Sequence, residues 1–479
     1  MNREFLLNII FLVVVNLLIK PFFIFGIDRN VQNLVGEREY GIYYSLVSFT
    51  IIFQIINDLG IQNFNSREIS QNRHLLDKYF SHIIVLKCCL GILYWISIVV
   101  MALVFRYDLS LFPLIFYLAL NRTLFLLLGY LQSNVAGLGY YKLNSLFSVL
   151  DRLLLIVVCS VLIWVEPFRL HFDIMWFVHA QNTTILMTCI IAFAVVSSKI
   201  KKVKFTFHKP FLLSVLRQAF PYAMAIFLMT IYTRTDVVMM ERMLPDGDRQ
   251  AGIYASAYRL LDAVNMLGVL FAGLLLPMFS RQLKAGEPIA PLLRLSFQII
   301  MVGAVTLAVA VWFHRVPIMQ LLYHEATPFS GDVLGMLMFS FVAISGTYIY
   351  STLLGANGSI RKMNRIFIIA FGLNIVLNFL LIPSQKALGA AISTLITQVF
   401  VVFSMIILAK RELILRGDKI WMSKLGGFVI GVFIINLSFQ SVNLFGNWMY
   451  QISFSMLLCL ALAFLLGFLN YKKVKFLLK

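Results

Sequence analysis

The chain has little charge for its length. Only 13% of its 479 residues are charged, whereas an ordinary soluble protein carries about 25%. Hydrophobic residues make up 61% of the sequence, and the mean hydropathy is +0.88. These values exclude an ordinary soluble protein and predict an all-α polytopic membrane protein.

Cysteine is also scarce. The five cysteines all fall within predicted helices, and they form neither a disulfide framework nor a CxxC metal motif. The adjacent Cys88 and Cys89 are open to a redox function, but we favour small apolar helix residues. The cysteines are Cys88, Cys89, Cys159, Cys189 and Cys459.

Signals of enzyme chemistry are missing as well. No two of the seven histidines have metal-ligand spacing on a helix, and nothing resembles a hydrolase triad, a phosphate-binding glycine loop or a paired-carboxylate site. The loops are too short to hold a soluble catalytic domain. The sequence therefore predicts a protein that is not an enzyme and that holds no cofactor or metal.

Long apolar runs dominate what is present. About 20 apolar residues span the hydrocarbon core of a bilayer as a helix, and fourteen such runs can be read between polar breaks. The first run is too long for a signal-peptide core and lacks a cleavage site, so we predict a retained helix. The predicted spans are Phe5–Phe25, Tyr40–Leu59, Phe80–Phe105, Leu109–Leu131, Leu143–Val165, Ile174–Val196, Leu212–Met240, Ala251–Pro277, Leu292–Phe313, Val333–Leu354, Asn364–Ile382, Leu388–Ala409, Trp421–Ser438 and Trp448–Phe468.

The distribution of cations predicts the orientation. With both termini in the cytoplasm, most of the 40 lysines and arginines fall on the cytoplasmic side, as the positive-inside rule requires. The basic segments Lys199–Lys204 and Lys472–Lys475 then anchor the chain to membrane lipids, and no nucleic-acid partner is needed. Eight cations fall on the opposite side, and they are Arg29, Arg38, Arg106, Arg169, Arg242, Arg249, Arg315 and Lys386.

The sequence also resembles itself. Gly-Ile-Tyr occurs at 41–43 and again at 252–254, and the turn 136–144 is similar to the turn 355–364. The offset corresponds to six helices, which predicts parallel repeats with a transport path between two lobes. We therefore predict a six-helix N-terminal lobe (1–198), a basic cytoplasmic linker (199–211), a six-helix C-terminal lobe (212–410), and two further helices with a basic tail (411–479).

Four arginines lie deep within predicted spans. They are Arg122, Arg152, Arg234 and Arg259, and the acids Asp151, Asp236 and Asp262 accompany them. A charge near the bilayer centre costs roughly 2.5–3.5 kcal/mol on insertion scales, so such residues face protein or water and mark pathways. Arginine also presents a rigid fork of donors that suits phosphate oxygens. The pattern predicts a cationic cavity for an anionic, membrane-bound substrate, with interhelical ion pairs as the structural alternative.

Three other charged residues are less clearly placed. Lys20 precedes the helix-breaking Pro21, and both a cavity position and a side chain that reaches to the interface remain open. We expect Asp58 at the membrane interface, and we expect Lys87 to extend towards the cytoplasmic surface from its helix start.

Asp151 and Arg152 are adjacent in the sequence, so their side chains point in different directions on the helix. We therefore expect Arg152 to need a further anion.

Short motifs identify the chain as similar to a known group. Gly41-Ile-Tyr-Tyr-Ser-Leu-Val-Ser48, Asn57-Asp-Leu-Gly-Ile61 and Asn65-Ser-Arg67 resemble the amino-terminal signature of the polysaccharide branch of the multidrug/oligosaccharidyl-lipid/polysaccharide (MOP) exporter superfamily. Arg234-Thr-Asp236, Gly252-Ile-Tyr254 and Pro277 are similar to its second-lobe pattern. The resemblance covers essentially the whole chain.

This resemblance implies a specific transport function. It implies a flippase that moves undecaprenyl-diphosphate-linked oligosaccharide units across the bacterial inner membrane for O-antigen, capsule or exopolysaccharide. Arg122, Arg152, Arg234, Arg259 and Lys20 would bind the substrate, while Asp151, Asp236 and Asp262 would balance the cavity charge or carry coupling H⁺ or Na⁺. The expected protein is a monomer, with a glycan polymerase and glycosyltransferases as further partners. The alternatives are a drug/cation antiporter of the same fold and, less favoured, a membrane glycosyltransferase or ligase.

Overall fold

The structure is a computed structural model that describes residues 18–71, 76–200, 209–414, 419–442 and 446–468. Within these ranges it is helical throughout, with no strand. A π-helical turn at Phe23–Asp28 leads into the first long helix. The helices are α1 (Arg29–Ile52), α2 (Ile55–Asp58), α3 (Ile61–Gln71), α4 (Leu76–Val104), α5 (Phe112–Gly137), α6 (Tyr141–Trp164), α7 (Glu166–Arg169), α8 (Ile174–Ser197), α9 (Lys209–Met243), α10 (Gly247–Ala285), α11 (Ala290–Phe313), α12 (Arg315–Leu322), α13 (Pro328–Ala356), α14 (Ile360–Leu413), α15 (Lys419–Val442) and α16 (Trp448–Leu465).

The helical fold follows from the apolar sequence. A backbone surrounded by lipid must satisfy its own hydrogen bonds, and a helix does so within one segment. Among the described residues, eleven helices are long and apolar enough to cross a membrane. Most of the predicted span Phe5–Phe25 lies outside the described residues, so the count of fourteen spans and the cytoplasmic termini stay predictions.

The eleventh and twelfth predicted spans are joined differently from the expectation. They form one element, α14, which is interrupted at Lys386, where the backbone has φ 53° and ψ −131°. The two halves therefore meet at a sharp kink with no intervening loop. Lys386, which was predicted to lie on the outer side of the membrane, is therefore the residue at the kink.

The chain divides into two compact units, residues 1–242 and 243–479. We call them unit 1 and unit 2. Unit 1 holds α1 to α8 and nearly all of α9, whereas the predicted N-terminal lobe ended at residue 198. Residues 201–208 of the predicted linker lie outside the described residues, and the predicted lobe boundary stays a prediction.

Aromatic and aliphatic side chains pack the core of unit 1. Phe80 of α4, Tyr130 of α5 and Phe147 of α6 are almost fully buried in one cluster. The Tyr130 hydroxyl donates to the Phe80 carbonyl oxygen at 3.4 Å. This core fixes α4, α5 and α6 against one another and thereby sets the position of the polar groups they carry.

Unit 2 has its core between α10, α11, α13 and α14, and the last two described helices pack against it. Phe428 and Val432 of α15 and Cys459 of α16 are fully buried against α11. A Cβ at Gly431 would lie 2.5 Å from Leu462, so this glycine allows α15 and α16 to approach closely. Gly427, the other glycine of the GxxxG pattern, faces open space.

Candidate functional site

A break in a helix organises the polar interior of unit 1. α2 ends at Leu59, which is left-handed with φ 45°, and Gly60 follows with φ +78°. A Cβ at Gly60 would lie 2.8 Å from the Ala219 carbonyl oxygen of α9. Only glycine suits both this backbone conformation and this approach. The break leaves backbone carbonyls at the end of α2 without helical partners.

Lys87 of α4 binds the end of this broken helix. Its ammonium group donates to the Asn57 carbonyl oxygen at 3.2 Å and forms an ion pair with the Asp58 carboxylate. The Lys87 side chain is only 5% exposed and that of Asp58 is 18% exposed. The prediction of a Lys87 side chain that reaches the surface is therefore wrong, whereas the interfacial depth of Asp58 stays a prediction. The physical reason is that the nearby Asp58 carboxylate stabilises the Lys87 ammonium inside the protein, so the side chain need not extend to the membrane surface.

Arg122 of α5 lies beside a cavity of about 260 Å³. We call it the Arg122 cavity, and α1, α2, α5 and α9 contribute to its wall. The Arg122 Nε donates to Gln54 Oε1 at 2.7 Å, and its guanidinium lies 4.6 Å from the centre of the Phe125 ring. The lining residues are Ile51, Ile52, Gln54, Ile55, Asp58, Gly60, Gln62, Arg122, Phe125, Leu126, Ala223, Ile226, Phe227 and Thr230.

The contacts of Arg122 involve uncharged partners. No carboxylate of the described residues lies within ion-pair distance of it. Arg152 and Arg234 are close enough for their positive charges to repel Arg122. Three of the four predicted arginines thus lie near one another in unit 1, so the charge that Arg122 senses from other arginines is positive. Arg152 also has Asp151 beside it.

Arg234 of α9 contacts an aromatic side chain. Its Nη1 donates to the Tyr44 hydroxyl at 2.9 Å, and its guanidinium lies 6.0 Å from the centre of the Tyr44 ring. Asp236, two residues later, is fully buried. Because residues two apart on a helix point in different directions, the expectation that Arg234 and Asp236 face different surroundings stays a prediction.

Arg152 and Asp151 of α6 approach each other more closely than expected. The Arg152 Nε lies 3.5 Å from Asp151 Oδ2, which is longer than a strong charge-assisted hydrogen bond of about 2.8 Å. The guanidinium also lies 4.8 Å from the centre of the Phe23 ring. Lys20 is close enough to sense the charges of both Asp151 and Arg152. The structure therefore groups Lys20, Asp151 and Arg152.

Unit 2 holds the remaining predicted pair. Arg259 Nη1 lies 3.9 Å from Asp262 Oδ2 along one face of α10, as the three-residue spacing predicted. Asp262 also acts electrostatically on Tyr348 of α13, whose ring packs on Gly268 of α10. Arg259 therefore has a nearby carboxylate, unlike Arg122.

Sequence reasoning missed several neighbours of the predicted arginines. Gln54, Gln62 and Tyr44 were not singled out, because nothing in a sequence marks one glutamine or tyrosine of a span as a cavity residue. A signal was present for the helix break, since Asn57-Asp-Leu-Gly60 is a sequence of turn-forming character inside an apolar run.

Taken together, the fold and the site define a multi-pass membrane protein whose first unit holds several charged side chains among its helices. Comparison with protein families agrees with this class. The family described as "Polysaccharide biosynthesis protein" matches residues 5–283, and the family described as "Lipid II flippase MurJ" matches residues 183–459. The chain belongs to the polysaccharide biosynthesis protein family, in the polysaccharide flippase branch of the MOP superfamily.

Solved structures share the fold at low sequence identity. A lipid II flippase MurJ in an inward closed conformation has a TM-score of 0.64 and 14% identity, covering 96% of this chain and 98% of that one. An inward-facing multidrug-resistance MATE transporter has a TM-score of 0.59 and 14% identity, with 83% and 98% covered. A MOP-superfamily transporter from Pyrococcus furiosus has a TM-score of 0.57 and 14% identity, with 85% and 95% covered. No curated protein matches the chain.

Proposed function

We propose that this protein is a flippase for undecaprenyl-diphosphate-linked oligosaccharide units in the bacterial inner membrane. The polysaccharide family supports a lipid-linked glycan as substrate, and the match to a lipid II flippase family supports translocation of a lipid-linked headgroup. The products would serve O-antigen, capsule or exopolysaccharide synthesis, together with a glycan polymerase and glycosyltransferases.

The environment of Arg122 carries this proposal. Its guanidinium keeps only neutral and aromatic partners beside the Arg122 cavity, although a cation inside a membrane is costly without an anion. A diphosphate that enters the cavity supplies the missing negative charge and accepts the remaining guanidinium donors. Arg152 and Arg234 add positive charge near Arg122, and Lys20 lies close to Arg152. Arg259 of unit 2 is the fourth arginine of the proposal.

We propose alternating access as the mechanism. The diphosphate and sugars pass through a cationic cavity, while the polyprenyl chain stays in lipid. Asp151, Asp236 and Asp262 set the charge balance of the interior and are the groups that would bind coupling H⁺ or Na⁺. The protein would act as a monomer and form no covalent intermediate with the substrate.

Two observations disfavour the alternatives. A drug/cation antiporter needs an available acid, yet Asp58, the one carboxylate among the described residues that line the Arg122 cavity, is bonded to Lys87. A glycosyltransferase or ligase needs catalytic groups on long loops, and the sequence has no such loops. An anion-translocating pathway agrees better with the charge that the cavity presents.

Translocation of a lipid-linked oligosaccharide in proteoliposomes tests this function. We expect the wild-type protein to move the labelled headgroup across the bilayer and the Arg122→Gln variant to lose most of this activity. One charged hydrogen bond contributes about 1.5–3 kcal/mol, which corresponds to a loss of roughly 10- to 150-fold in affinity. Arg169→Gln, which changes an exposed arginine of α7, is the control and should translocate normally. Equal activity of both variants would overturn the assignment of Arg122, and no movement by the wild type would overturn the function.

A further inference from the structure

Unit 2 contains a second, larger cavity that the proposed transport path does not use. It is an elongated groove of about 610 Å³ between α11, α13, α14 and α15, a volume typical of small-molecule sites. We call it the unit 2 groove. Arg294, Tyr350 and Lys410 line one end, and Val309, Phe339 and Phe433 line the other.

The wall of the unit 2 groove is apolar, and one side of it is open. Between its two ends the groove is lined by aliphatic and aromatic side chains. Phe403 and Ile407 of α14 form part of the lining and remain 60% and 51% exposed. In a membrane protein such an open apolar surface faces hydrocarbon, so a lipid chain can enter from the side.

The length of the groove matches one leaflet of a bilayer. Along α13 it extends from Phe339 to Tyr350, which is about 17 Å at 1.5 Å per residue. Along α14 it extends over the same number of residues, from Val399 to Lys410. A hydrocarbon core is about 30 Å thick, so the groove corresponds to the depth of one leaflet. This length suits an acyl chain, whereas a long polyprenyl chain would extend far beyond it.

Charge at one end selects the headgroup. Neighbouring helices of unit 2 are antiparallel, so Arg294 near the start of α11 and Lys410 near the end of α14 lie at the same end. This end is predicted to be cytoplasmic, and basic pockets between helices on that side bind anionic lipid headgroups. Among the residues whose side chains the structure describes, the cations of this end are Arg281, Lys284, Arg294, Arg361, Lys362, Arg365, Lys410, Arg411 and Lys424, and the acids are Glu287 and Glu412.

One of the two acids is already engaged. Glu412 Oε1 accepts a hydrogen bond from Lys362 Nζ at 2.5 Å.

We propose that the unit 2 groove binds an anionic phospholipid of the adjacent leaflet. One acyl chain would lie between α11, α13, α14 and α15, and the phosphate would lie at Arg294 and Lys410. The bound chain fills the space between α15 and the core of unit 2, so the lipid stabilises the folded protein. The unit 2 groove shares no lining residue with the residues proposed to bind the diphosphate.

Lipid binding to the full-length protein tests the proposal without a transport assay. Delipidated protein in detergent is titrated with phosphatidylglycerol and with phosphatidylcholine of the same acyl chains, and bound lipid is counted by native mass spectrometry. We expect one phosphatidylglycerol to bind more tightly and to raise the Tm, since a ligand that binds only the folded state stabilises it. The Arg294→Gln/Lys410→Gln variant should lose about 30-fold in affinity, because each cation near a headgroup contributes roughly fivefold.

Matched variants separate the groove from general basicity. Arg361→Gln/Lys424→Gln removes two cations at the same end that do not line the groove, and it should bind phosphatidylglycerol as the wild type does. Ala343→Phe fills the groove and should abolish the one-to-one complex, whereas Val376→Phe enlarges a side chain that is 57% exposed outside the groove and should not. Each variant is first checked for an unchanged elution profile and Tm in detergent.

Three results would overturn the proposal. The first is equal binding of the two lipids to the wild type. The second is equal loss of phosphatidylglycerol from the two double variants. The third is displacement of phosphatidylglycerol by undecaprenyl diphosphate, one for one and blocked by Ala343→Phe, which would assign the groove to the transported lipid. None of these three results depends on oligosaccharide translocation in proteoliposomes. The phospholipid site can therefore be disproved without affecting the proposed flippase function, and the reverse also holds.

Discussion

Two cations of unit 1 show how the surroundings of a charge determine its role. Lys87 is closed off from solvent and held by Asp58 and by a backbone carbonyl, so its charge is used within the fold. Arg122 lies beside a cavity and is bonded to the neutral Gln54, so its charge is available to a ligand. The first residue therefore stabilises the fold, and the second is the one that we propose to bind the substrate.

The Lys87–Asp58 pair gives a prediction at this scale. Lys87→Met leaves the Asp58 carboxylate without its cation, and we expect a loss of about 3 kcal/mol in the free energy of unfolding, because removing one partner of a buried pair strands the other charge. The double variant Lys87→Met/Asp58→Asn removes both charges and should recover most of this loss. Denaturation of the purified protein, analysed as a double-mutant cycle, measures the coupling. If the losses of Lys87→Met and Asp58→Asn, measured singly, add up to the loss of the double variant, the ion pair contributes nothing.

At the scale of elements, the end of α2 determines where these side chains point. Gly60 combines a φ of +78° with a close approach to the backbone of α9. The break turns the chain between α2 and α3 and exposes the Asn57 carbonyl to Lys87. The same break places Asp58 and Gln62 on the wall of the Arg122 cavity.

Gly60→Ala should therefore destabilise unit 1. We expect a cost of about 1–3 kcal/mol, the usual range for a non-glycine residue in a strained conformation, and the contact with Ala219 adds to it. Thermal unfolding in detergent is the measurement. Gly303→Ala on α11 is a suitable control, because a Cβ there meets nothing within 4 Å and alanine favours the helix. A Gly60→Ala variant as stable as Gly303→Ala would show that the break tolerates a side chain.

The kink of α14 is held by a polar contact to the start of α10. Lys386 Nζ donates to Asp246 Oδ2 at 2.8 Å, and Gln250 Nε2 donates to the same oxygen at 2.9 Å. The hydrogen bond from Lys386 lowers the pKa of Asp246 below its usual value of 3.8, although partial burial acts in the opposite direction. Both side chains are partly exposed, with 48% for Lys386 and 35% for Asp246.

This contact predicts a small pH dependence of stability. Because the folded-state pKa is lowered, the contribution is present above pH 3.8 and is lost as the pH falls below that value through the folded-state pKa. Lys386→Met should remove about 0.5 kcal/mol at pH 7, the size expected for an exposed pair, and nothing at a pH where Asp246 is protonated. Unfolding curves at pH 7 and at successively lower pH, down to the lowest value that keeps the protein soluble, make the comparison, and the effect of Lys386→Met should shrink as the pH falls. Lys284→Met, at an exposed position of α10, is the control, and a pH-independent effect of Lys386→Met would exclude the electrostatic contact.

At the scale of the whole molecule, the charge distribution predicts how the protein is oriented in the membrane. α10 starts beside Asp246 and ends at Ala285. Glu325 lies in the loop between α12 and α13 of unit 2. The positive-inside rule places the basic end, which includes Lys284, in the cytoplasm and Glu325 on the outside.

Cysteine labelling tests this orientation. In a variant without the five native cysteines, Glu325→Cys should react with a membrane-impermeant maleimide in intact spheroplasts. Lys284→Cys should react only after the membrane is permeabilised. Both positions are exposed, so access to the reagent depends on the side of the membrane. Labelling of Lys284→Cys in intact spheroplasts would reverse the predicted orientation.

The sequence by itself determined the class of this protein and the charges within its membrane helices. Long apolar runs require helices because lipid offers no hydrogen bonds to a backbone, and the motifs around Gly41 and Arg234 indicated the superfamily that the family comparison confirmed. It also determined the Arg259–Asp262 contact, since residues three apart share a helix face.

Only the tertiary structure decided which charges are neutralised by distant partners. Lys87 meets Asp58 from 29 positions away, and Arg122 meets Gln54 from 68 positions away. Helical periodicity states which face of a helix a residue occupies, but it does not state which other helix packs on that face. Arg259 has its carboxylate on its own helix, whereas only the packing of other helices decided that Arg122 lies beside a cavity with a neutral partner.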